Sequence, residues 1–448
     1  MRSVPRPLSF AFGVALALAA GLTSACGAGR IRDELGQQLR QISDRLRGAS
    51  PRERYADDLR GEGDAGAALA RAWTAAGDRA LGAPAAAPLP LREQGAFSGT
   101  EPGALAWRVR PRRGERVTVR LDADADSSAR VFAELWREDQ ADPSARRLVA
   151  SGDGLHATYD VLADDADAVY VLRVQPELRR RVRWGVAFAA GPSLAFPVQG
   201  RDARAIASGW GAARDGGARP HEGVDIMAPR GTPALAAEDG VVRYVGDDRL
   251  GGRVVSVAAP ERGHSLYYAH LDTQVVHGGQ TVHVGDTVGF VGTTGNARGG
   301  PAHLHFGVYT GDGAVNPLPY LDDRRRPASA PGRDTAFVGR PVRTTTRSAL
   351  ALRAGPATGA TTVALLAPRT TLAVDGAAGG GWLHVRVMDA RAEPATGYIP
   401  ADAVERVTAA RATAVAAEVV EEVSSRGVET RVRRRPSRRA RVRRLVWW

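Results

Sequence analysis

Apolar residues recur along the chain in two rhythms, and the change from one to the other divides it. Near the N-terminus Ile31, Leu35, Leu39, Ile42 and Leu46 are spaced by four and three, which places them on one face of an amphipathic helix. The alanine-rich stretch from Ala65 to Leu81 predicts a second helix, and Ala83 to Pro90 a Pro/Ala linker. Two short helices bury little, so residues 27–95 are expected to form a helical spacer and linker. From Gly99 to Gly191 the period drops to two: Val117, Val119 and Leu121 share one face, as do Tyr170, Leu172 and Val174, which predicts an all-β unit over 97–191. Residues 192–321 alternate short Val-rich runs with Gly-rich turns, with candidate strands at 240–245, 253–258, 287–291 and 303–309. The charged, Pro-containing run from Asp322 to Arg333 opens a linker over 322–336, and a further small β unit follows at 337–407. The expected fold class is mainly β and multidomain, in keeping with 448 residues at roughly 150 per domain.

Composition narrows the class. A hydrophobic share of 44% with 25% charged residues fits water-soluble domains, excluding wholesale disorder and a polytopic membrane protein. All 61 basic residues are arginine, which reads as a genomic composition bias. Residues 426–448, the end of the C-terminal tail at 408–448, carry ten of them against Glu429 alone, a surplus of nine out of the net twelve, and the body is nearly neutral. Arg and Trp interleave in that tail as they would for nucleic acid, but an exported protein rarely meets that partner. An anionic wall polymer or membrane surface is the expected attraction, and no nucleic acid is expected.

Export is expected from residues 1–25: Arg2 and Arg6, an apolar run from Leu8 to Leu22, then Thr23-Ser24-Ala25. The run is shorter than the ~20 residues that span a bilayer. Cys26, the single cysteine, follows directly, so that Leu22-Thr23-Ser24-Ala25-Cys26 resembles the lipobox of bacterial lipoproteins, although Thr23 stands where that family usually has a large aliphatic residue. The resemblance implies lipidation of Cys26 and membrane attachment, and the alternative is simple cleavage to a soluble form. The cell envelope or the medium is the expected location. No second cysteine exists for an intramolecular disulfide.

Seven of the nine histidines lie between His221 and His305, a clustering that points to a metal. Residues two apart on a strand face the same side, about 6.6 Å apart, so His303 and His305 can serve one site. His221 and Asp225 would lie about 13 Å apart in a straight strand, too far for joint ligation at bonds of about 2 Å. The chain must bend between them, and Gly223, midway, permits a bulge or turn. Two imidazoles and one carboxylate leave an open position on a tetrahedral zinc, where a water would be activated. Histidines standing near the metal without binding it suit proton transfer and stabilisation of an oxyanion; His303 and His270 are the candidates.

The spaced motifs His221-x-x-x-Asp225 and His303-x-His305, with Tyr268-Ala269-His270-Leu271 between, make the segment from Gly209 to Leu321 resemble the lysostaphin/LytM-type zinc metallopeptidases. Gly231-Thr232-Pro233, Gly279-Gln280, Val291-Gly292-Thr293-Thr294-Gly295-Asn296 and Asn316-Pro317-Leu318 fit the same frame. The resemblance implies Zn2+ bound by His221, Asp225 and His305, catalytic roles for His270 and His303, peptidoglycan as substrate, and a compact antiparallel β catalytic domain over 192–321. Leu352-Arg353-Ala354-Gly355-Pro356, Val363 to Leu366, Gly381-Trp382-Leu383-His384-Val385 and Gly397-Tyr398-Ile399-Pro400 resemble bacterial SH3-like domains, small barrels that bind wall peptides. The 97–191 unit is similar to β-sandwich accessory domains of secreted peptidases.

Other residues carry plainer expectations. His264, His277 and His283 read as surface or turn histidines, and His156 and His384 as structural. Glu222 should point to the face opposite the ligands, whereas Tyr268, of the same parity as His270, could meet substrate. Two rivals stand beside the peptidase. One is a non-catalytic LytM-like regulator of another wall hydrolase, which would usually lack the ligands present here. The other is a non-haem iron oxygenase, which shares the two-histidine, one-carboxylate set but not the added histidines or the export signal.

Overall fold

The computed structural model describes residues 48–407 apart from 126–127, 140, 143–144, 325–327 and 389–394. The expected export segment with Cys26, the expected helix over 31–46 and the tail at 408–448 lie outside the described residues. Two compact units partition the chain, Met1–Ala70 and Arg71–Trp448. In the first, the helix Pro51–Arg60 starts on a capping box: Ser50 Oγ accepts from the Glu53 N–H, while the Glu53 carboxylate accepts from the Ser50 N–H at 2.7 Å. The Ser-Pro-x-Glu signal for this helix is in the sequence, although the apolar pattern does not predict it. The expected Ala65–Leu81 helix spans Gly63–Gly82.

Among the described residues, all the β structure lies in the second unit. A sandwich is built from one sheet in the order Ala85–Ala86, Leu105–Val109, Tyr170–Pro176, Val131–Glu138, Arg146–Gly152, facing the strands Leu91–Phe97, Val182–Pro192, Glu115–Asp124 and His156–Leu162. The alternation of Glu115–Asp124 sends Val117, Val119 and Leu121 into a core with Trp107, Trp184 and Phe188. Tyr170–Pro176 is buried at every position, because its outward residues are covered as well. Trp73 Nε1 donates to the Pro176 carbonyl at 2.8 Å, and Gln175 Nε2 donates to the Trp73 carbonyl at 2.7 Å. The residues from Arg71 to Gly82 thus pack on the sandwich; they do not form the free spacer expected.

The strand Leu91–Phe97 corrects the linker boundary placed at 95. Its side chains alternate in and out of the core, and its edge pairs with Thr371–Ala378 of the C-terminal unit through Glu93↔Ala378, Gln94↔Ala377 and Gly95↔Gly376. The C-terminal strands Pro341–Thr344, Leu350–Arg353, Thr362–Leu366, Thr371–Ala378, Trp382–Val387, Thr396–Pro400 and Val404–Arg406 enclose Val342, Leu352, Leu372, Leu383 and Ile399, and they continue the sandwich sheet. At the seam Glu93, 1% exposed, accepts from Trp107 Nε1 at 2.8 Å and Tyr398 Oη at 2.6 Å on one oxygen, and pairs with His384 Nδ1 at 2.8 Å on the other. His384 is structural, as expected.

Residues 206–315 form an antiparallel sheet in the order Ile206–Ser208, Val224–Met227, His303–Thr310, His264–Gln274, Gly252–Ala259, Gly240–Asp248, Thr281–Val282. Pro233–Leu235 pairs with Thr287–Val291, which joins the far end of His264–Gln274. The four candidate strands all appear, each extended by at most three residues at an end except Thr287–Val291, which is reproduced. One sheet face is packed with Val224, Ile226, Leu304, Phe306 and Val308, and this is why the other face holds the polar residues. His264, expected at the surface, is buried against Tyr320 and paired with Glu238. Glu238 also accepts from Arg262, whose guanidinium reaches Asp164 of the sandwich and Ser193 just beyond its last strand. The histidine belongs to a polar joint, a role that spacing alone does not reveal. His156 is exposed and paired with Asp122, and His277 and His283 are exposed as expected.

Removing Glu93 would strand three buried donors. Glu93→Ala is expected to lower the unfolding free energy by about 3–5 kcal/mol, read from urea denaturation. Burial pushes the His384 pKa down, but the Glu93 charge and hydrogen bond outweigh it and leave the pKa raised. The stabilisation from charged His384 is therefore complete below the usual histidine range and is lost as pH rises through the raised value. The stability difference between the wild type and His384→Gln should shrink as denaturation is repeated at increasing pH.

Candidate metal centre and active site

Register places the first two of the expected ligands. Val224–Met227 pairs with His303–Thr310 so that Asp225 lies opposite His305 and Met227 opposite His303, and directly paired residues share a face. His221 stands just before its strand, bound at its N–H by the Ala212 carbonyl and at its carbonyl by the Gly211 N–H. The chain bends between His221 and Asp225 as expected: His221 Nε2 lies 3.0 Å from Asp225 Oδ1 and 2.9 Å from His305 Nδ1, and His305 Nδ1 lies 3.1 Å from the same Asp225 oxygen. Gly223 serves the bend differently from the bulge foreseen. A Cβ there would lie 2.6 Å from His305 Cε1 and 2.6 Å from the Phe306 carbonyl oxygen, so the glycine is needed for the close approach of the His305 ring.

The three donor atoms meet at one point. A carbonyl only accepts, so the 2.9 Å contact between His221 Nδ1 and the Gly209 carbonyl puts the proton on Nδ1 and leaves the Nε2 lone pair facing Asp225 Oδ1. Two lone-pair atoms 3.0 Å apart call for a positive charge between them. Tetrahedral ligands at about 2.0–2.1 Å from zinc stand about 3.4 Å apart, close to the spacing here, and the donor set of two imidazoles and a carboxylate is one zinc takes. The carbonyl that orients His221 is the kind of partner metal-binding histidines have. The residues therefore fit the ion. Burial raises the Asp225 pKa, but the adjoining His221 and His305 imidazoles, which donate to it whenever they are protonated, override that and hold the carboxyl far below its usual range. Burial pushes His305 down, partly countered by Asp225.

His303 and His270 complete the cluster. His303 Nδ1 donates to the Pro301 carbonyl at 2.9 Å, and its Nε2 lies 3.8 Å from Asp225 Oδ1. The His270 ring centroid is 5.0 Å from that of His303 and 5.8 Å from that of His305. Its position depends on a break in the strand. Through Ala269↔His305 the strand pairs with His303–Thr310, and from Leu271↔Val291 it pairs with Thr287–Val291. At this corner His270 takes a left-handed φ of 62°, a costly conformation for a side-chain-bearing residue. Two loops hold it: its N–H donates to the Gly251 carbonyl at 2.7 Å and its Nδ1 to the Thr294 carbonyl at 3.0 Å. The loops meet at Gly252 and Gly295, both of positive φ, where a Cβ on either would come within 2.4 Å of the other's backbone nitrogen. Burial, then the flanking His303 and His305, pushes the His270 pKa down to about 4, so the ring is neutral at pH 7.

The same break overturns the parity argument for Tyr268. That residue is fully buried, packed edge-on to Phe306, and its hydroxyl accepts from the Ala237 N–H at 2.9 Å, so it belongs to the core. Its neighbour Tyr267 shares the face of Asp225 and His305, 6.1 Å from the His305 ring, with its hydroxyl on Asp248 Oδ2 at 2.6 Å. Glu222 is exposed and outside the cluster. The sequence reading also missed Arg214, whose guanidinium donates to Asp225 Oδ2 at 2.5 Å and to Ser208 Oγ at 2.7 Å. Gly216-Gly217, a turn signal that folds the chain back just before His221, could have placed Arg214 beside the site.

Gly223→Ala is expected to weaken zinc binding at least tenfold in competition with a chromophoric chelator, because the added methyl displaces His305. Equal affinity in the two proteins would show that the ring has room to move.

Residues 219–317 match the model of Peptidase family M23. Over 139 residues the chain is 36% identical to the L-Ala--D-Glu endopeptidase of Bacillus subtilis (strain 168), covering 28% of this chain and 42% of the relative. It is 40% identical over 108 residues to the uncharacterized lipoprotein YgeR of Escherichia coli (strain K12), covering 24% and 40%. With the DD-carboxypeptidase/endopeptidase Mpg of Neisseria meningitidis serogroup B (strain ATCC 13091 / M2091) it shares 37% over 100 residues, 22% of each chain. The chain thus spans less than half the length of these curated relatives. Among solved structures, the catalytic domain of lysostaphin from Staphylococcus simulans aligns at 30% identity over 25% of this chain and 89% of that one, with a TM-score of 0.24. Residues 219–317 are a domain of peptidase family M23.

Proposed function

We propose that this chain is an exported, zinc-dependent endopeptidase that hydrolyses peptide cross-links of bacterial peptidoglycan. The convergence of His221 Nε2, Asp225 Oδ1 and His305 Nδ1 within 3.1 Å of one another, beside two further imidazoles, carries this reading. Zinc bound by these atoms supplies a Lewis acid that activates a water and polarises the scissile carbonyl. The remaining work falls to the chain. His303 and His270 each commit Nδ1–H to a backbone carbonyl, which leaves Nε2 with its lone pair to accept a proton and return it to the leaving amine. Neutral His270 is ready to accept at pH 7, and either ring, once protonated, faces the developing oxyanion. The relatives named as L-Ala--D-Glu endopeptidase and DD-carboxypeptidase/endopeptidase support a wall peptide as substrate.

The other segments fit this role. Cys26 would anchor the chain to a membrane, and the Arg-rich tail would lie on an anionic wall or membrane surface. The 337–407 unit would act as an SH3-like module that holds wall peptides, and the 97–191 unit as the accessory sandwich. The carboxylate–imidazole set and the retained His270 and His303 favour an enzyme over a regulator.

Incubation of the purified full chain with peptidoglycan should release free amines, cease on chelation, and recover with added zinc. His303→Ala should lower turnover by about 10²–10⁴-fold while retaining zinc. Full activity in that variant would remove the proton-transfer assignment, and mass spectrometry of the fragments identifies the bond cut.

A further inference from the structure

Asp225 offers its two oxygens to different partners. Oδ1 faces His221 Nε2 at 3.0 Å and His305 Nδ1 at 3.1 Å, while Oδ2 is bound by the Arg214 guanidinium at 2.5 Å. A carboxylate free to turn about its Cβ–Cγ bond can bind a cation through one oxygen or both. Here that turn is opposed by a charge-assisted hydrogen bond with the side chains only 27% and 15% exposed, away from the water that weakens surface pairs.

The arm that carries Arg214 is fixed along its length. Ala213–Arg214 and Arg219–Pro220 form a two-stranded hairpin, closed by a turn with positive φ at Asp215, Gly216 and Gly217, and Arg219 Nε donates to Asp215 Oδ2 at 2.5 Å. The next residue is His221, whose N–H is bound to the Ala212 carbonyl at 2.8 Å. The same guanidinium nitrogen that meets Asp225 also meets Ser208 Oγ at 2.7 Å, and Ser208 is the strand partner of Asp225. One hairpin therefore sets the position of His221 and the rotation of Asp225 together.

We propose that Arg214 is a positioning residue: it occupies Oδ2 so that Asp225 presents a single oxygen to the metal, keeping a coordination position open for water and substrate. The inference rests on the reading of His221, Asp225 and His305 as zinc ligands. Without Arg214, Oδ2 is released to become a fourth protein ligand, and the open position is lost or contested. The guanidinium also sets the partner's geometry by planar, directed donors that an ammonium does not reproduce.

The test uses the full chain with zinc replaced by cobalt(II), whose visible absorption is intense in four-coordinate sites and weak in five-coordinate ones. Arg214→Ala and Arg214→Gln should bind zinc about 10–100-fold more weakly in chelator competition and shift the cobalt spectrum in position and intensity. Arg214→Lys, which keeps the charge, should recover part of the affinity. Should Arg214→Ala fail to fold by far-ultraviolet circular dichroism, Ser208→Ala, which removes only the second anchor of the guanidinium, should give the same spectral shift in smaller measure. Spectra and affinities matching the wild type in the folded variants would overturn the proposal. A wild-type chain that binds no stoichiometric zinc would instead remove the metal reading itself.

Discussion

The antiparallel register that sets Asp225 opposite His305 and Ala269 on the far side of His305 is the constraint on which the site depends. A shift of one residue would turn His303 and His305 into the apolar layer now filled by Leu304, Phe306 and Val308, and would carry those residues into water. The hydrophobic effect acting on one face of three strands thus holds polar side chains together on the other. Their mutual attraction does not need to assemble them. The loops then refine what register establishes, with His221 fixed from the Gly209 side and His270 from the Gly251 and Thr294 sides.

Much of this was legible because strand periodicity is a strong signal. The same-face placement of His303 and His305, the bend between His221 and Asp225, and four strands of the peptidase domain follow from spacing, whereas Val224–Met227 and His264–Gln274 were not marked by it. Parity failed at one place, between Tyr268 and His270, where the strand changes partners and φ turns positive. No pattern of apolar residues announces such a corner. His264 was misplaced for a related reason: a histidine in a polar stretch reads as exposed, and its burial depends on Glu238, distant in sequence. Gly223 was recognised as necessary, but the cause is the ring of a residue 82 positions away, which only the folded chain supplies.

Domain limits were legible only coarsely. The Pro/Ala stretch before Leu91 gave a linker signal that extended over a buried strand, and the alanine-rich helix showed no sign that Trp73 would seat against the sandwich. Both misreadings share a cause. Contacts between units are made by a few residues each, Glu93 with His384 and Tyr398 or Arg262 with Asp164, and their partners lie roughly a hundred to three hundred residues apart. The peptidase domain is tied to the sandwich through the second of these joints and the C-terminal strands through the first.

The shared sheet at Leu91–Phe97 bears on how the chain can be divided. A product ending at the linker near residue 330 would leave this strand with a row of unsatisfied backbone groups along the side that Thr371–Ala378 now covers. Such a rim is a template for adhesion between copies, and the last β unit covers it.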